Sequence, residues 1–413
     1  MDTTNAIQRL VGDLTEAYLV CRRNKRQKKS SLEFELGWAS GIVALAEDVA
    51  YHRYQPQASI AFIVRRPKLR EVFAASFRDR IIHHYITIRL EPLFEKIFIE
   101  DTYNCRVGKG TLNGIKRMHW MIRQASEDYT KDCWIAKFDI QGFFMSIHKP
   151  TLWKRLEAFI RENYKGDDID TLLYLTEIVA MNRPEDNCIL HTPAFVWRKL
   201  PKNKSLFTCG EQYGLPIGNL TSQMFANFYL HEFDLMMRRE FGWYGRYVDD
   251  FFIVGDKKHI LKKLSMIRES LSDLGLKLHP RKLYLQHYTK GVMFIGGVSK
   301  PGRTYACNRT ITNFEEAIHS LNQIEDKQAQ AEHFVCSLNS YIGYLIHHKT
   351  YAIRRNLIEQ IAPEWWRYIY VGGRFEKIVL KKKYTNNAIM SNKIKEIKNY
   401  GKSNDSKRSL QAH

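Results

Sequence analysis

The stretch "GRYVDDFFIVG", residues 245–255, sets two adjacent carboxylates, Asp249 and Asp250, inside a run that otherwise reads as a buried strand. Tyr247 and Val248 precede them; Phe251, Phe252, Ile253 and Val254 follow. Aspartate is a common turn residue, but turn aspartates usually sit beside glycine or asparagine, not between Val and Phe-Phe. Like charges this close repel unless a cation or a separation in space relieves them. The stretch therefore reads as a hairpin with a charged tip, and the charge calls for a divalent metal. Hard cations such as Mg²⁺ take one or two protein carboxylates and complete their shell with water and substrate phosphates.

A second carboxylate belongs at a neighbouring strand end, and "DCWIAKFDIQGFF" (132–144) supplies it. The segment alternates toward a strand that stops at Asp139, followed closely by glycine and two phenylalanines. Two metals ~3.5–4 Å apart, held by Asp139 and Asp249, would stabilise the attacking and leaving oxygens of an in-line phosphoryl displacement. Asp250 would support that site more loosely.

The chain has 413 residues and is 44% apolar, enough for one large or two to three smaller domains. A formal net charge of +20 implies a polyanionic partner, nucleic acid or an anionic membrane surface. No apolar run approaches the ~20 residues of a membrane-spanning helix, and "MDTTNAIQRLVGDL" has no signal-peptide pattern. The 7 cysteines are scattered, with no C-x-x-C pair, which argues against a disulfide framework or a zinc site and for a cytoplasmic setting.

Helices are expected over residues 1–20 and 32–54, with the basic block "CRRNKRQKKSS" between them as either a solvated loop or a phosphate-contacting arm. Residues 58–75 read as two short strands joined at Pro67, and "SFRDRIIHHYITIRLEPLFEKIF" as a long helix. "VGKGTLNGI" reads mainly as a helix entry. Residues 214–237 read as a turn and one long helix, 257–274 as a helix, 276–299 as short strands, and 312–370 as all helical. The Lys/Asn/Ser-rich end reads as disordered.

The set "KFDIQGFFMSI", "GLPIGNLTSQMFANFYL", "RYVDDFFIVG", "LGLKLHPRKLYL" and "VMFIGGVS" resembles, in order and spacing, the motifs of reverse transcriptases. The resemblance covers residues 58–370 and implies an α+β right-hand polymerase. Its parts would be an N-terminal helical extension (1–57), fingers (58–131), palm (132–300, with a fingers-like insertion near 150–212), a helical thumb (301–375) and a basic tail (376–413). It implies RNA-directed DNA synthesis with two Mg²⁺ ions (Mn²⁺ in vitro) held by Asp139, the Ile140 backbone, Asp249 and Asp250. Phe144 would exclude a ribose 2′-OH, with Phe143 facing the other way into the core. Lys68 and Arg70, with Arg66 behind them, would either grip the incoming triphosphate or touch the template backbone. Arg78 and Arg80 would contact template or pair with Asp79 and nearby acids, and His83–His84 reads as packing. Lys282, or Lys277 as second choice, would act as general acid toward the leaving pyrophosphate. Phe294, Ile295, Gly296 and Gly297 resemble the primer grip. Lys349, Arg354 and Arg355 would ride the phosphate backbone.

One departure narrows the family. Most reverse transcriptases carry Gln-Gly-x-x-x-Ser-Pro where this chain has "IGNLTSQ". Ile217 stands for the glutamine near the incoming nucleotide, Gly218 is retained, and Gln223 stands for the proline. This form, together with "SYIGYLIHHKTYAIRRNLI", resembles the enzymes of diversity-generating retroelements, which copy a template RNA with frequent errors at adenines. That resemblance alone implies a small basic accessory protein, a pentameric helical bundle, and a structured template RNA beside primer, cDNA and deoxynucleoside triphosphates. The alternatives are a group II intron-type, retron or phage-defence reverse transcriptase, and a non-catalytic nucleic-acid-binding protein on a polymerase-like fold.

Overall fold

The computed structural model describes residues 3–23, 28–65 and 68–384. Arg66, Pro67, the middle of the basic block (24–27) and the tail from 385 lie outside the described residues. The chain divides into two compact units, residues 1–117 with 121–287, and 118–120 with 288 onward.

The first unit is built on a long helix, Phe77–Ile97. Ser76 caps it: its hydroxyl accepts from the Asp79 N–H at 3.1 Å and donates to the Asp79 carboxylate at 2.8 Å. The helix Thr3–Cys21 buries Leu10, Leu14, Ala17, Tyr18 and Cys21, the three-and-four spacing of one helix face. Asp13 on that helix meets Arg89 on the long one at 2.8 Å, and Arg89 also binds Asp168 at 2.5 Å. Asp168 accepts from Tyr85 and Tyr164 as well, joining three helical segments at one carboxylate.

Seven strands belong to this unit: β1 (Ser59–Val64), β2 (Arg70–Ala74), β3 (Trp134–Asp139), β4 (Cys188–Leu190), β5 (Tyr244–Tyr247), β6 (Asp250–Gly255) and β7 (Tyr284–His287). One sheet has the order β2-β1-β4, antiparallel then parallel. The other has the order β5-β6-β3-β7 and is antiparallel throughout. Phe251, Phe252, Ile253 and Val254 are all buried, so β6 is covered on both faces.

The second unit opens with a meander of β8 (Val292–Phe294), β9 (Gly297–Lys300) and β10 (Arg303–Ala306). Helices Asn308–Asn322, Ala331–Leu345 and Tyr351–Ile358 follow, then a hairpin of β11 (Ile369–Gly372) and β12 (Lys377–Leu380). Its core includes Phe314, Phe334, Leu338, Ile342, Ile369 and Ile378, with Phe334 stacked on Trp365 at 3.8 Å.

The fold is thus mixed α+β. Four expectations of continuous helix are corrected. Residues 32–54 are two helices, Lys29–Glu35 and Trp38–Ala50; residues 214–237 break at Leu230; residues 257–274 break at Lys263. A break of one or two residues leaves the apolar spacing nearly intact, so periodicity cannot detect it. The region 312–370 is not helical to its end, because the β11–β12 hairpin, whose β-branched runs flank Gly372 and Gly373, begins at Ile369. Phe143 and Phe144 lie in a helical turn, Phe143–Ser146, so strand alternation does not separate them. Among the described residues no helix is long and apolar enough to cross a membrane.

The segment Ile217–Asn219 is the shelf on which β2 rests. The Phe73 N–H donates to the Ile217 carbonyl at 2.9 Å and the Ala75 N–H to Asn219 Oδ1 at 3.3 Å. Gly218 has φ +124°, and a Cβ there would lie 2.8 Å from the Phe73 carbonyl oxygen and from Val72 Cγ1. Gly218→Ala is therefore expected to destabilise the fold by ~1–3 kcal/mol, read as a lowered melting temperature. An unchanged melting temperature would show that the shelf yields freely.

Candidate active site

The antiparallel register of β3 and β6 sets Asp139 directly opposite Asp250. One residue behind them, Phe138 and Phe251 are also paired, and their rings stack at 4.8 Å. The strands therefore end together, apolar behind and charged in front. Val248 and Asp249 form the two-residue tip between β5 and β6. The Ile140 N–H donates to the Asp249 carbonyl at 3.0 Å, which ties the tip to the chain leaving β3. The Asp139 carbonyl accepts from the His279 N–H at 2.7 Å, bringing in the segment that precedes β7.

The carboxylates are charged against their surroundings. Burial, then Asp250 and Asp139, push Asp249 up to about 6. Burial and then Asp139 raise Asp250, while Lys137, Lys282 and Lys68 pull it back. The Lys282 ammonium donates to Asp139 Oδ2. Lys137, lowered by burial, is held up by Asp250 and Asp139. It was missed in the sequence, although its i, i+2 relation to Asp139 puts both on one face of β3.

Among the described residues no three His, Cys, Asp or Glu side chains form a preformed metal cage. The donor set nonetheless suits a hard divalent ion. It is anionic and all oxygen, and burial together with the neighbouring carboxylates raises Asp249 and Asp250. Mg²⁺ needs only one or two protein carboxylates, the rest of its shell being water and phosphate. Reverse transcriptases generally use divalent metal ions.

Lys68 and Arg70 are exposed and border the site: Lys68 acts on Asp250 and Arg70 on Tyr247, which faces Asp250 across the hairpin. Phe144 and Ile217 are half-buried and border one apolar cluster with Ala61, Phe73, Met145 and Leu206. Gln223 is half-buried on the helix Leu220–Tyr229, its Oε1 3.9 Å from the Cys105 thiol. Lys277 contributes its carbonyl, which accepts from the Gln141 N–H at 2.8 Å. Arg78 pairs with Asp48 at 2.6 Å and Arg80 Nε donates to the Ala75 carbonyl, so both have partners within the protein. His83 is buried against the Thr221 hydroxyl and pushed down to about 3 by burial, a packed neutral ring.

Phe294, Ile295, Gly296 and Gly297 lie in the second unit, at the β8–β9 hairpin. Ile295 and Gly296 have φ +40° and +97°, and the Gly296 carbonyl accepts from the Cys307 N–H. Arg355 is exposed and 3.6 Å from Glu359. Arg354 corrects an expectation. It is buried, with its guanidinium bonded to the carbonyls of Arg374 and Phe375, so it does not lie on the surface awaiting a phosphate.

The raised Asp249 carboxyl has a consequence for stability. The folded, metal-free protein keeps this proton up to about pH 6, the unfolded chain only to about 3.8. The group's contribution is full below the lower value and is lost as pH rises through the higher one. Asp249→Asn is therefore expected to stabilise the protein in EDTA above neutral pH by at most ~1–3 kcal/mol, read as a raised melting temperature, with no gain near the lower value. A gain that persists at acid pH would refute the electrostatic cause.

The family model described as reverse transcriptase (RNA-dependent DNA polymerase) matches residues 65–298. Protein YkfC of Escherichia coli (strain K12) is 21% identical over a 292-residue alignment that covers 61% of this chain and 69% of that protein. Among solved structures, apo telomerase from Candida tropicalis truncated from its C-terminal domain aligns with a TM-score of 0.43 at 13% identity, over 61% of this chain and 55% of its own. Telomerase from Candida albicans in complex with a TWJ fragment of telomeric RNA aligns at 0.42 and 11% identity, over 75% and 59%. This chain spans somewhat over half the length of these telomerases. The family match covers more than half of the chain and includes Asp139, Asp249 and Asp250. The chain belongs to the reverse transcriptase family, the RNA-dependent DNA polymerases.

Proposed function

We propose that this reverse transcriptase copies a template RNA into cDNA with frequent errors at template adenines, as the polymerase of a diversity-generating retroelement. One observation carries the chemistry: Asp139 and Asp250 face each other at adjoining strand ends, with Asp249 at the tip and Lys282 on Asp139. A scaffold that only binds a polyanion has no use for three carboxylates where the phosphates would lie.

In this reading Lys68 and Arg70 take the triphosphate of the incoming nucleotide, and Phe144 lies beneath its sugar, where a 2′-OH would clash. The primer 3′-OH gives up its proton to solvent and attacks the α-phosphorus in line, breaking the bond to the departing pyrophosphate. Asp139, Asp249, Asp250 and the Ile140 carbonyl would hold two Mg²⁺ ions, which would supply positive charge against the attacking and leaving oxygens. Lys282 gives its proton to the leaving pyrophosphate. Residues 58–131 act as fingers, 132–300 as palm and 301–375 as thumb, with Phe294–Gly297 as the primer grip.

The mutagenic part of the proposal rests on Ile217 and Gln223. Ile217 borders the same apolar cluster as Phe144, so the residue that varies between subfamilies stands beside the proposed sugar-sensing ring. Isoleucine offers no hydrogen bond to the nascent pair. The accessory protein, a small basic helical pentamer, and the structured template RNA are part of the same proposal.

Primer extension on an RNA template tests the chemistry. Divalent-metal-dependent DNA synthesis by the wild type and its loss in Asp249→Asn are expected; wild-type extension by the variant would overturn the assignment. Ile217→Gln tests the mutagenic part. One hydrogen bond in a dry site contributes ~0.5–1.5 kcal/mol, so misincorporation opposite adenine should fall several-fold, read by sequencing the cDNA. An active variant with an unchanged adenine error rate would make Ile217 a subfamily marker only.

A further inference from the structure

The tip of the catalytic hairpin is strained. Val248 has φ +58° and the Asp249 that follows does not share that sign, an arrangement in which glycine is customary at the first tip position. A β-branched residue there is disfavoured and persists only where its surroundings over-determine it. Glycine would relieve the strain and also loosen the tip.

The surroundings are specific. The Val248 N–H donates to Asn104 Oδ1 at 3.0 Å, and the Val248 carbonyl accepts from Arg246 Nη1 at 3.0 Å. Two side chains thus hold both polar groups of this residue's main chain. Asn104 and Arg246 are themselves fixed. Arg246 is fully buried and makes a two-pronged pair with Asp234, at 2.7 Å and 2.5 Å. Asp234 also accepts from the Tyr244 hydroxyl at 2.6 Å, and Asn227 Oδ1 lies 3.3 Å from Arg246 Nη1. Asn227 Nδ2 donates to the Asn104 carbonyl at 3.0 Å, which closes the circuit. The Asp101 carbonyl accepts from the Arg246 N–H, and the Arg246 carbonyl from the Tyr103 N–H, so the segment carrying Asn104 runs alongside β5.

We infer that Asn104 and Arg246 are positioning residues that hold the strained Val248 peptide and thereby fix where Asp249 presents its carboxylate. The inference rests on the polymerase reading for its kinetic consequence, but not for its structural one. Asn104 works through its oxygen alone, because its buried Nδ2 has no hydrogen-bond partner. Alanine at 104 therefore removes the working atom and leaves no buried charge behind. Truncating Arg246 would strand Asp234 as a buried charge and unfold the region, so Asn104 is the informative position.

The experiment compares wild type and Asn104→Ala by amide hydrogen exchange and by steady-state primer extension. In Asn104→Ala, protection should be lost at residues 246–250 while the long helix Phe77–Ile97 keeps its protection. Its kcat should fall by about 10- to 100-fold, the scale of a displacement near 1 Å at a reacting centre, with KM for the nucleotide little changed. Undiminished protection at 246–250 in Asn104→Ala overturns the inference, as does a kcat loss that tracks global loss of protection or a loss that falls on KM alone. If the wild type itself extends no primer, the polymerase reading fails, and the exchange comparison still decides the clamp.

Discussion

The pairing of β3 with β6 is the constraint on which the site depends. It sets two carboxylates opposite each other and places a third at the tip beside them. Their repulsion and burial work against the fold. What holds the strands together lies one residue behind. Burying Phe138 and Phe251 contributes ~1.5–3 kcal/mol for each side chain, against about 1–3 kcal/mol for the raised Asp249 carboxyl. The apolar layer therefore wins by a modest margin, and Lys282, Lys137 and Lys68 offset part of the remainder. A site poised this way gains when a cation binds, because burial and then two neighbouring carboxylates raise Asp249, and a cation offsets both.

The segment Ile217–Asn219 shows how one motif does two jobs. Its backbone carries β2 through the Phe73 and Ala75 amides, and β2 begins at Arg70 beside Tyr247. The side chain of Ile217 enters the cluster that Phe144 also borders. A backbone role and a side-chain role at adjoining atoms can separate in evolution, since any residue at 217 keeps the carbonyl that Phe73 needs. Buried Glu71 reinforces the same strand by accepting from the Ser205 hydroxyl and the Leu206 N–H.

The 64 lysines and arginines do not all face a polyanion. Arg246, Arg354 and Lys149 are buried, and Lys149 donates to the Asn182 carbonyl. Arg89 and Arg117 are spent on carboxylates within the first unit. Lys68 and Arg70 are among the cations left exposed.

The sequence by itself determined the local chemistry. Two aspartates within an apolar run, a third ending an alternating segment, and the ordered motifs around them need only near neighbours to be legible, and so do the long helix from Phe77 and the strands at 59–74. The missed features depend on distance in space. Helix breaks at Leu36–Gly37, Leu230 and Lys263 leave periodicity almost unchanged, and the burial of Arg354 follows from carbonyls 20 and 21 residues away. Lys137 was missed for a different reason, because alternation put it on the face of Asp139 but gave no sign that β6 would bring Asp250 across. The Asn104 contact to Val248 spans 144 residues of sequence, and no pattern on either side announces it. Only the tertiary structure decided which polar groups would meet, because a buried donor must find an acceptor wherever the packed chain supplies one.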